Sequence, residues 1–145
     1  MSEGGEVPAL YLDTSALLRR YLADRHRPLV VEAMADPDHE WCSSAMTRTE
    51  VLIALHQVAT DPRTQAALWR AVRDDWEAVW EVPVDGRCLA RAAEVGAVYG
   101  LRTVDAVHLA AADRLPRPAR FLTFDRRQIP AAVGLGFEVI SAYEP

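Results

Sequence analysis

The chain of 145 residues contains no lysine: its 16 basic residues are all arginine. That removes several chemistries at once. A Walker-type phosphate loop, a kinase and a Schiff-base enzyme each depend on a lysine at a fixed place, and a receiver-type phosphoacceptor domain normally does too. Cysteine is scarce as well. Cys42 and Cys88 lie far apart in no CxxC pair, and His26, His39, His56 and His108 show neither HExxH nor zinc-finger spacing. A structural zinc site and a disulfide scaffold are therefore not expected. No apolar run approaches the roughly 18 residues that a membrane span needs, and the opening Met1–Glu6 is acidic and glycine-containing, unlike a signal peptide. The expectation is a cytoplasmic protein with no membrane association. Positive charge is also short, since 21 acids leave a formal net charge of −5, which argues against gripping nucleic acid by bulk positive charge.

What is present is a folding sequence. Half the residues are hydrophobic and 26% are charged, which excludes a disordered chain and suits a single domain with a real core. Residues 1–7 read as a flexible tail and 8–145 as that domain. Short apolar runs read as strands at 9–12 (ending in Asp13), 40–43, 80–84, 120–124 (ending in Asp125) and 137–140. Helical patterns fall at 15–23, 28–35, 45–59, after Asp61-Pro62 along the stripe Leu68, Val72, Trp76, Val79, at 86–99 with Gly100 as its C-cap, and at 103–114. Val51, Leu55 and Val58 mark the apolar face of the third helix, and the 103–114 helix is apolar on nearly every side, as a buried helix is. Strands alternating with helices predict an α/β fold whose central, mainly parallel sheet is covered on both faces.

Four acids interrupt apolar surroundings where charge is costly: Asp13 in Leu-Asp-Thr-Ser, Glu50 in Thr-Arg-Thr-Glu-Val, Asp105 in Val-Asp-Ala-Val-His-Leu and Asp125 in Leu-Thr-Phe-Asp-Arg. Singly, each has an ordinary reading: Asp13 and Asp125 as N-caps, Asp105 as a helix-dipole partner, Glu50 as a solvated residue beside an apolar stripe. Jointly they say more. Asp13 and Asp125 end predicted parallel strands, and Asp105 and Glu50 sit in the first two turns of helices running antiparallel to those strands. All four therefore project toward the carboxyl edge of one sheet, where open α/β folds place their ligands. Four gathered carboxylates repel unless a cation shares the charge, and all-oxygen ligands suit Mg²⁺ or Mn²⁺ rather than zinc.

These segments, with Leu-Arg-Thr-Val-Asp-Ala-Val-His-Leu-Ala-Ala-Ala and Phe-Leu-Thr-Phe-Asp, make the chain similar to PIN-domain nucleases from about Leu10 to Ile140. Within that superfamily it resembles the VapC toxins of bacterial toxin–antitoxin pairs. The resemblance implies a three-layer α/β/α sandwich and metal-dependent endonucleolytic cleavage of RNA. The family's four acids fall on Asp13, Glu50, Asp105 and Asp125, with none missing. Asp13 and Asp105 are then the expected direct ligands of Mg²⁺ or Mn²⁺, and Glu50 and Asp125 complete the pocket directly or through water. Water activated by the metal would attack the phosphodiester with no covalent enzyme intermediate. Expected partners are an RNA substrate, a cognate antitoxin protein and a second copy of the chain.

Other residues carry two readings. Ser15 and Thr123 are candidate hydroxyls for orienting carboxylates or waters, or they serve local helix-start and strand hydrogen bonds. His108 reads as a partly buried histidine satisfied by a neighbour, with proton transfer or substrate contact as the alternative. Trp69, Trp76 and Trp80 read as core or subunit interface rather than as a base-stacking platform. Arg19, Arg20, Arg102, Arg126 and Arg127 lie near the acids in sequence and are solvated arginines or phosphate contacts; Arg102, just ahead of the Asp105 helix, is the candidate for substrate binding. Two alternative functions stay open: a PIN-fold RNA-processing nuclease without a toxin role, and a noncatalytic interaction module. A haloacid-dehalogenase-type phosphatase is disfavoured, because Asp13-Thr14-Ser15 lacks the second aspartate of DxDxT and that family's lysine is absent.

Overall fold

The computed structural model describes residues 7–143, so the tail expected over 1–7 lies, apart from Val7, outside the described residues. Among those described, five strands form one sheet: β1 (Ala9–Leu12), β2 (Glu40–Ser44), β3 (Trp80–Val82), β4 (Arg120–Leu122) and β5 (Glu138–Ile140). Their order is β3-β2-β1-β4-β5, and every neighbouring pair is parallel. Seven helices among the described residues connect them: α1 (Thr14–Tyr21), α2 (Arg27–Ala35), α3 (Ala45–Val58), α4 (Pro62–Trp76), α5 (Gly86–Tyr99), α6 (Thr103–Ala112) and α7 (Ile129–Gly134).

The pleat sends successive strand side chains to opposite faces, and both faces are covered. Leu10, Leu12 and Leu122 enter one core with Leu17 of α1, Val30 of α2, Val51 and Leu55 of α3 and Val72 of α4. Tyr11, Cys42 and Phe121 enter the other with Cys88 and Ala92 of α5, Leu109 and Ala110 of α6 and Ala131 of α7. The result is a three-layer α/β/α sandwich. Each fully buried leucine contributes about 1.5–3 kcal/mol of apolar burial. Eight of the ten α6 residues are buried, Asp105 and His108 among them. Small residues allow this: a Cβ added at Gly96 of α5 would lie 3.3 Å from the Ala106 Cβ, so the two helices approach closely. Gly100 ends α5 at φ 66°, a left-handed cap that glycine adopts freely.

Caps fix where helices begin along the carboxyl edge of the sheet. Asp13 and Asp85 follow β1 and β3, Ser44 is the last residue of β2, and each accepts a backbone N–H from the helix it opens. The chain runs β1 to β3 toward one side of the sheet and then returns to build β4 and β5 on the other. The order therefore reverses between β1 and β4, where a crevice opens outside the strand ends.

Some elements differ from the sequence reading. β3 stops at Val82, since β2 pairs with it only as far as Ser44 and Pro83 has no N–H to donate. Helix α7 has no counterpart among the sequence patterns, because six residues with a proline in the first turn are too few to show helical periodicity. Val58, placed on the apolar face of α3, is 60% exposed. Trp76 is buried, whereas Trp69 and Trp80 are exposed. No described helix is long and apolar enough to cross a membrane.

Gly134 of α7 sits against the tip of the Tyr99 side chain at the end of α5: a Cβ there would lie 2.9 Å from the Tyr99 Cζ, so the phenol would have to shift. Gly134→Ala should destabilise the protein by about 1–2 kcal/mol, overpacking outweighing the gain in helix propensity. Urea unfolding should also show Tyr99→Phe in the same chain recovering part of the loss.

Candidate active site

The crevice between the ends of β1 and β4 is a cleft of about 620 Å³, and Asp13, Glu50, Asp105 and Asp125 all line it, with Thr14, Ser15, Arg102 and His108. Asp13 is placed by its backbone, whose N–H donates to the Leu122 carbonyl at 3.1 Å and so continues the β1–β4 ladder one residue past the strand. The residue is 3% exposed. Oδ2 accepts from the Ser15 N–H at 3.3 Å, the Ser15 hydroxyl at 2.5 Å and the Thr123 hydroxyl at 2.9 Å, and Oδ1 accepts from Gln128 Nε2 at 3.3 Å. The two hydroxyls are held in turn. Ser15 Oγ accepts from the Phe124 N–H at 2.9 Å, and Thr123 Oγ1 from the Asp125 N–H at 3.0 Å. The two readings of Ser15 and Thr123 thus merge: the same bonds close the local backbone and orient the Asp13 carboxylate.

Glu50 comes from the second turn of α3 and is half-buried. Its Oε1 accepts from Thr14 Oγ1 at 2.6 Å and lies 2.7 Å from His108 Nε2. Burial pushes this carboxyl up, but the hydrogen bonds from His108 and Thr14 outweigh it and leave Glu50 below its ordinary range. His108 is 1% exposed, and its Nδ1 meets the Tyr11 hydroxyl at 2.9 Å. Burial opposes its charge; Tyr11, Asp13 and Glu50 favour it, and the balance lifts His108 well above the usual histidine range.

Asp105, in the first turn of α6, is in the opposite state. Burial and then the charge of Asp125 beside it raise its pKa, and Arg102, with Nε 3.3 Å from Oδ2, offsets only part of this. Asp125 closes a turn by accepting the Arg127 N–H at 3.0 Å. Of the arginines singled out in the sequence, Arg102 alone lines the cleft. Arg20 pairs with Asp75, Arg19 pairs with Asp24 and covers the Phe124 ring, and Arg126 stacks on Tyr143.

The sequence reading did not single out Thr14, Gln128 or Tyr11. Thr14 sits inside the Leu-Asp-Thr-Ser segment and was open to notice. Gln128 follows an unremarkable Arg-Arg pair, and nothing in its surroundings signals a buried amide. Among the described residues, no three Asp, Glu, His or Cys side chains converge closely enough to form a ready-made metal cage. Asp13 and Glu50 are turned onto protein donors, while Asp105 lies beside Asp125, whose charge opposes its ionisation. Four carboxylates in one cleft, with a repulsion that Arg102 offsets only in part, fit a hard divalent cation.

A family profile of the PIN domain matches residues 10–133, from within β1 to within α7, and so takes in all four acids. The chain belongs to the PIN-domain family. It is 36% identical over 148 residues to Ribonuclease VapC46 of Mycobacterium tuberculosis, covering 93% of this chain and 98% of that one. The fold is similar to a chain of a toxin–antitoxin complex from Klebsiella pneumoniae, with a TM-score of 0.65 and 20% identity over 94% of this chain and 99% of that one. It is also similar to a chain of VapBC2 from Rickettsia felis bound to a DNA fragment from their promoter, with a TM-score of 0.66 and 10% identity over 91% and 98%.

The Asp105–Asp125 repulsion gives a measurable signature. Because the folded state raises the Asp105 pKa, it binds more protons than the unfolded state, so this pair lowers stability as pH rises from the ordinary aspartate range through the raised value. Asp125→Asn removes the second of the two causes and should therefore stabilise the cation-free protein at pH 7, while the part due to burial stays. The gain should vanish at a pH low enough to protonate Asp105 in both states. Urea titrations in chelator at several pH values read the difference.

Proposed function

We propose that this PIN-domain protein is an endoribonuclease that hydrolyses RNA phosphodiester bonds with Mg²⁺ or Mn²⁺, and that it is the toxin of a toxin–antitoxin pair. The observation that carries the reading is the meeting of four carboxylates from β1, α3, α6 and the end of β4 in one cleft at the switch point of the sheet. The name of its 36% identical relative, a ribonuclease, supports the substrate class. The toxin–antitoxin origin of the similar folds supports a cognate antitoxin protein as partner. A homodimer and a cytoplasmic location complete the reading.

Asp13 and Asp105 would hold the cation directly, with Glu50 and Asp125 completing its surroundings directly or through water. When bound, the cation lowers the pKa of water and neutralises charge building up on the phosphodiester. The chain's own residues do the rest. Ser15, Thr123 and Gln128 keep the Asp13 carboxylate in one orientation, so little reorganisation is left for the reaction. Arg102, with a side chain 70% exposed at the rim, can release Asp105 and present its fork of N–H donors to a substrate phosphate. The Ser15 hydroxyl is given to Asp13 and the Thr14 hydroxyl to Glu50; on this reading water is the attacking group, with no covalent enzyme intermediate.

Purified protein should cleave RNA with Mg²⁺ or Mn²⁺ and fall to background in chelator. Asp13→Asn and Asp105→Asn should each do the same while the protein stays folded by circular dichroism. Cleavage that persists in chelator and survives both substitutions would overturn the reading. For the toxin role, expression should arrest growth, and co-expression of the antitoxin should restore it.

A further inference from the structure

The His108 ring is gripped at both nitrogens although it is 1% exposed. Nε2 faces three oxygens: Glu50 Oε1 at 2.7 Å, Thr14 Oγ1 at 3.1 Å and Asp13 Oδ1 at 3.6 Å. Carboxylate oxygens only accept, so Nε2 carries a hydrogen whatever the charge of the ring. Thr14 gives its single hydrogen to Glu50 Oε1 at 2.6 Å and therefore turns a lone pair toward His108. At the other nitrogen the Tyr11 hydroxyl, 2.9 Å away, serves both charge states, donating to a bare Nδ1 and accepting from a protonated one. Tyr11 cannot swing: it is fully buried in β1 and stacked on Phe121 at 5.2 Å, with 6° between the rings.

The geometry points to His108 as a positioning residue for Glu50: Tyr11 holds the ring from the middle of the sheet, and Nε2–H with the Thr14 hydroxyl fixes Glu50 Oε1, leaving Oε2 for the cleft. Among the described residues Oε2 has no protein hydrogen bond. A rigid β-strand thereby sets the carboxylate of a helix on the far side of the site, through one imidazole. The functional consequence rests on the nuclease reading above; the hydrogen-bond pattern does not, which keeps the two separable.

The first arm is nitrogen-15 NMR of the metal-free protein. It should show a hydrogen on His108 Nε2 exchanging slowly with water; a bare Nε2 overturns the inference. The second arm compares Mn²⁺ affinity by calorimetry and RNA cleavage kinetics. His108→Leu should weaken Mn²⁺ binding by about 10-fold or more and lower kcat, with KM for RNA unchanged because the buried ring does not meet substrate. His108→Gln, whose side-chain N–H reaches the Nε2 position, should recover most of both, and Tyr11→Phe should fall between. A folded His108→Leu protein with wild-type Mn²⁺ affinity and kcat overturns the proposal. So does a glutamine variant no better than leucine, which would mean that the ring only packs. Should His108→Leu fail to fold, Tyr11→Phe decides, and unchanged Mn²⁺ affinity there overturns it. Wild-type protein that neither binds Mn²⁺ nor cuts RNA sinks the nuclease reading, and the Nε2–H signal is then judged on its own.

Discussion

A carboxylate at 3% exposure is tolerable only when the fold supplies the hydrogen bonds that water would have made, and Asp13 imposes that requirement on this chain. Its donors come from the first turn of α1, from the residue after β4 and from the turn before α7. Residues more than 100 positions apart must therefore meet at one point. Losing any of these partners leaves a buried charge short of a bond, a cost of about 1–3 kcal/mol. The end of β1, the start of α1 and the entry to α7 are thus held together by an acid whose burial would otherwise oppose folding. The register of β1 against β4 is the geometric condition for it, since Leu12 sits opposite Leu122 and brings Asp13 beside Thr123.

The site divides into a satisfied half and a frustrated half. Asp13 is engaged at both oxygens by hydroxyls and an amide, and Glu50 at Oε1 by a hydroxyl and an imidazole. Asp105 is pressed by burial and by Asp125, and its one cationic contact is an arginine that is largely in water. The first half preorganises; the second stores a repulsion that protonation or a positive charge can relieve. A site built wholly of satisfied acids would gain little from a cation, and one built wholly of repelling acids would not hold its shape.

Much of this was legible in the sequence because it is carried by local rules. Alternating apolar runs and helical patterns predict the parallel α/β sandwich, and an acid at a strand end or in a first helical turn must lie at the carboxyl edge whatever the details of packing. The topology then gathers those acids into one cleft. The remainder depended on pairings that no local pattern encodes. His108 reads correctly as a histidine satisfied by neighbours, but its partners Tyr11 and Glu50 lie 97 and 58 residues away and on different elements. Gln128 precedes a helix of six residues that has no periodicity to announce it, so neither the helix nor the amide it helps to seat could be read in advance.

The missing lysines acquire a meaning once the ion pairs are seen. Arg20 pairs with Asp75, Arg91 with Asp113, Arg114 with Asp85, and Arg120 with Asp36 and Glu138. Such surface pairs are each worth about 0–1 kcal/mol, so their effect on stability is small. Their effect on the field is larger, because each neutralises a guanidinium that would otherwise attract polyanions from any direction. With four acids inside the cleft and Arg102 at its rim, the cation-free site repels a phosphate more than it draws one. On the proposed reading, a divalent ion reverses that sign at one place only. The formal charge of −5 then works as a filter: RNA is not held by the surface at large, and its phosphodiester gains a favourable contact only where the carboxylates have been neutralised.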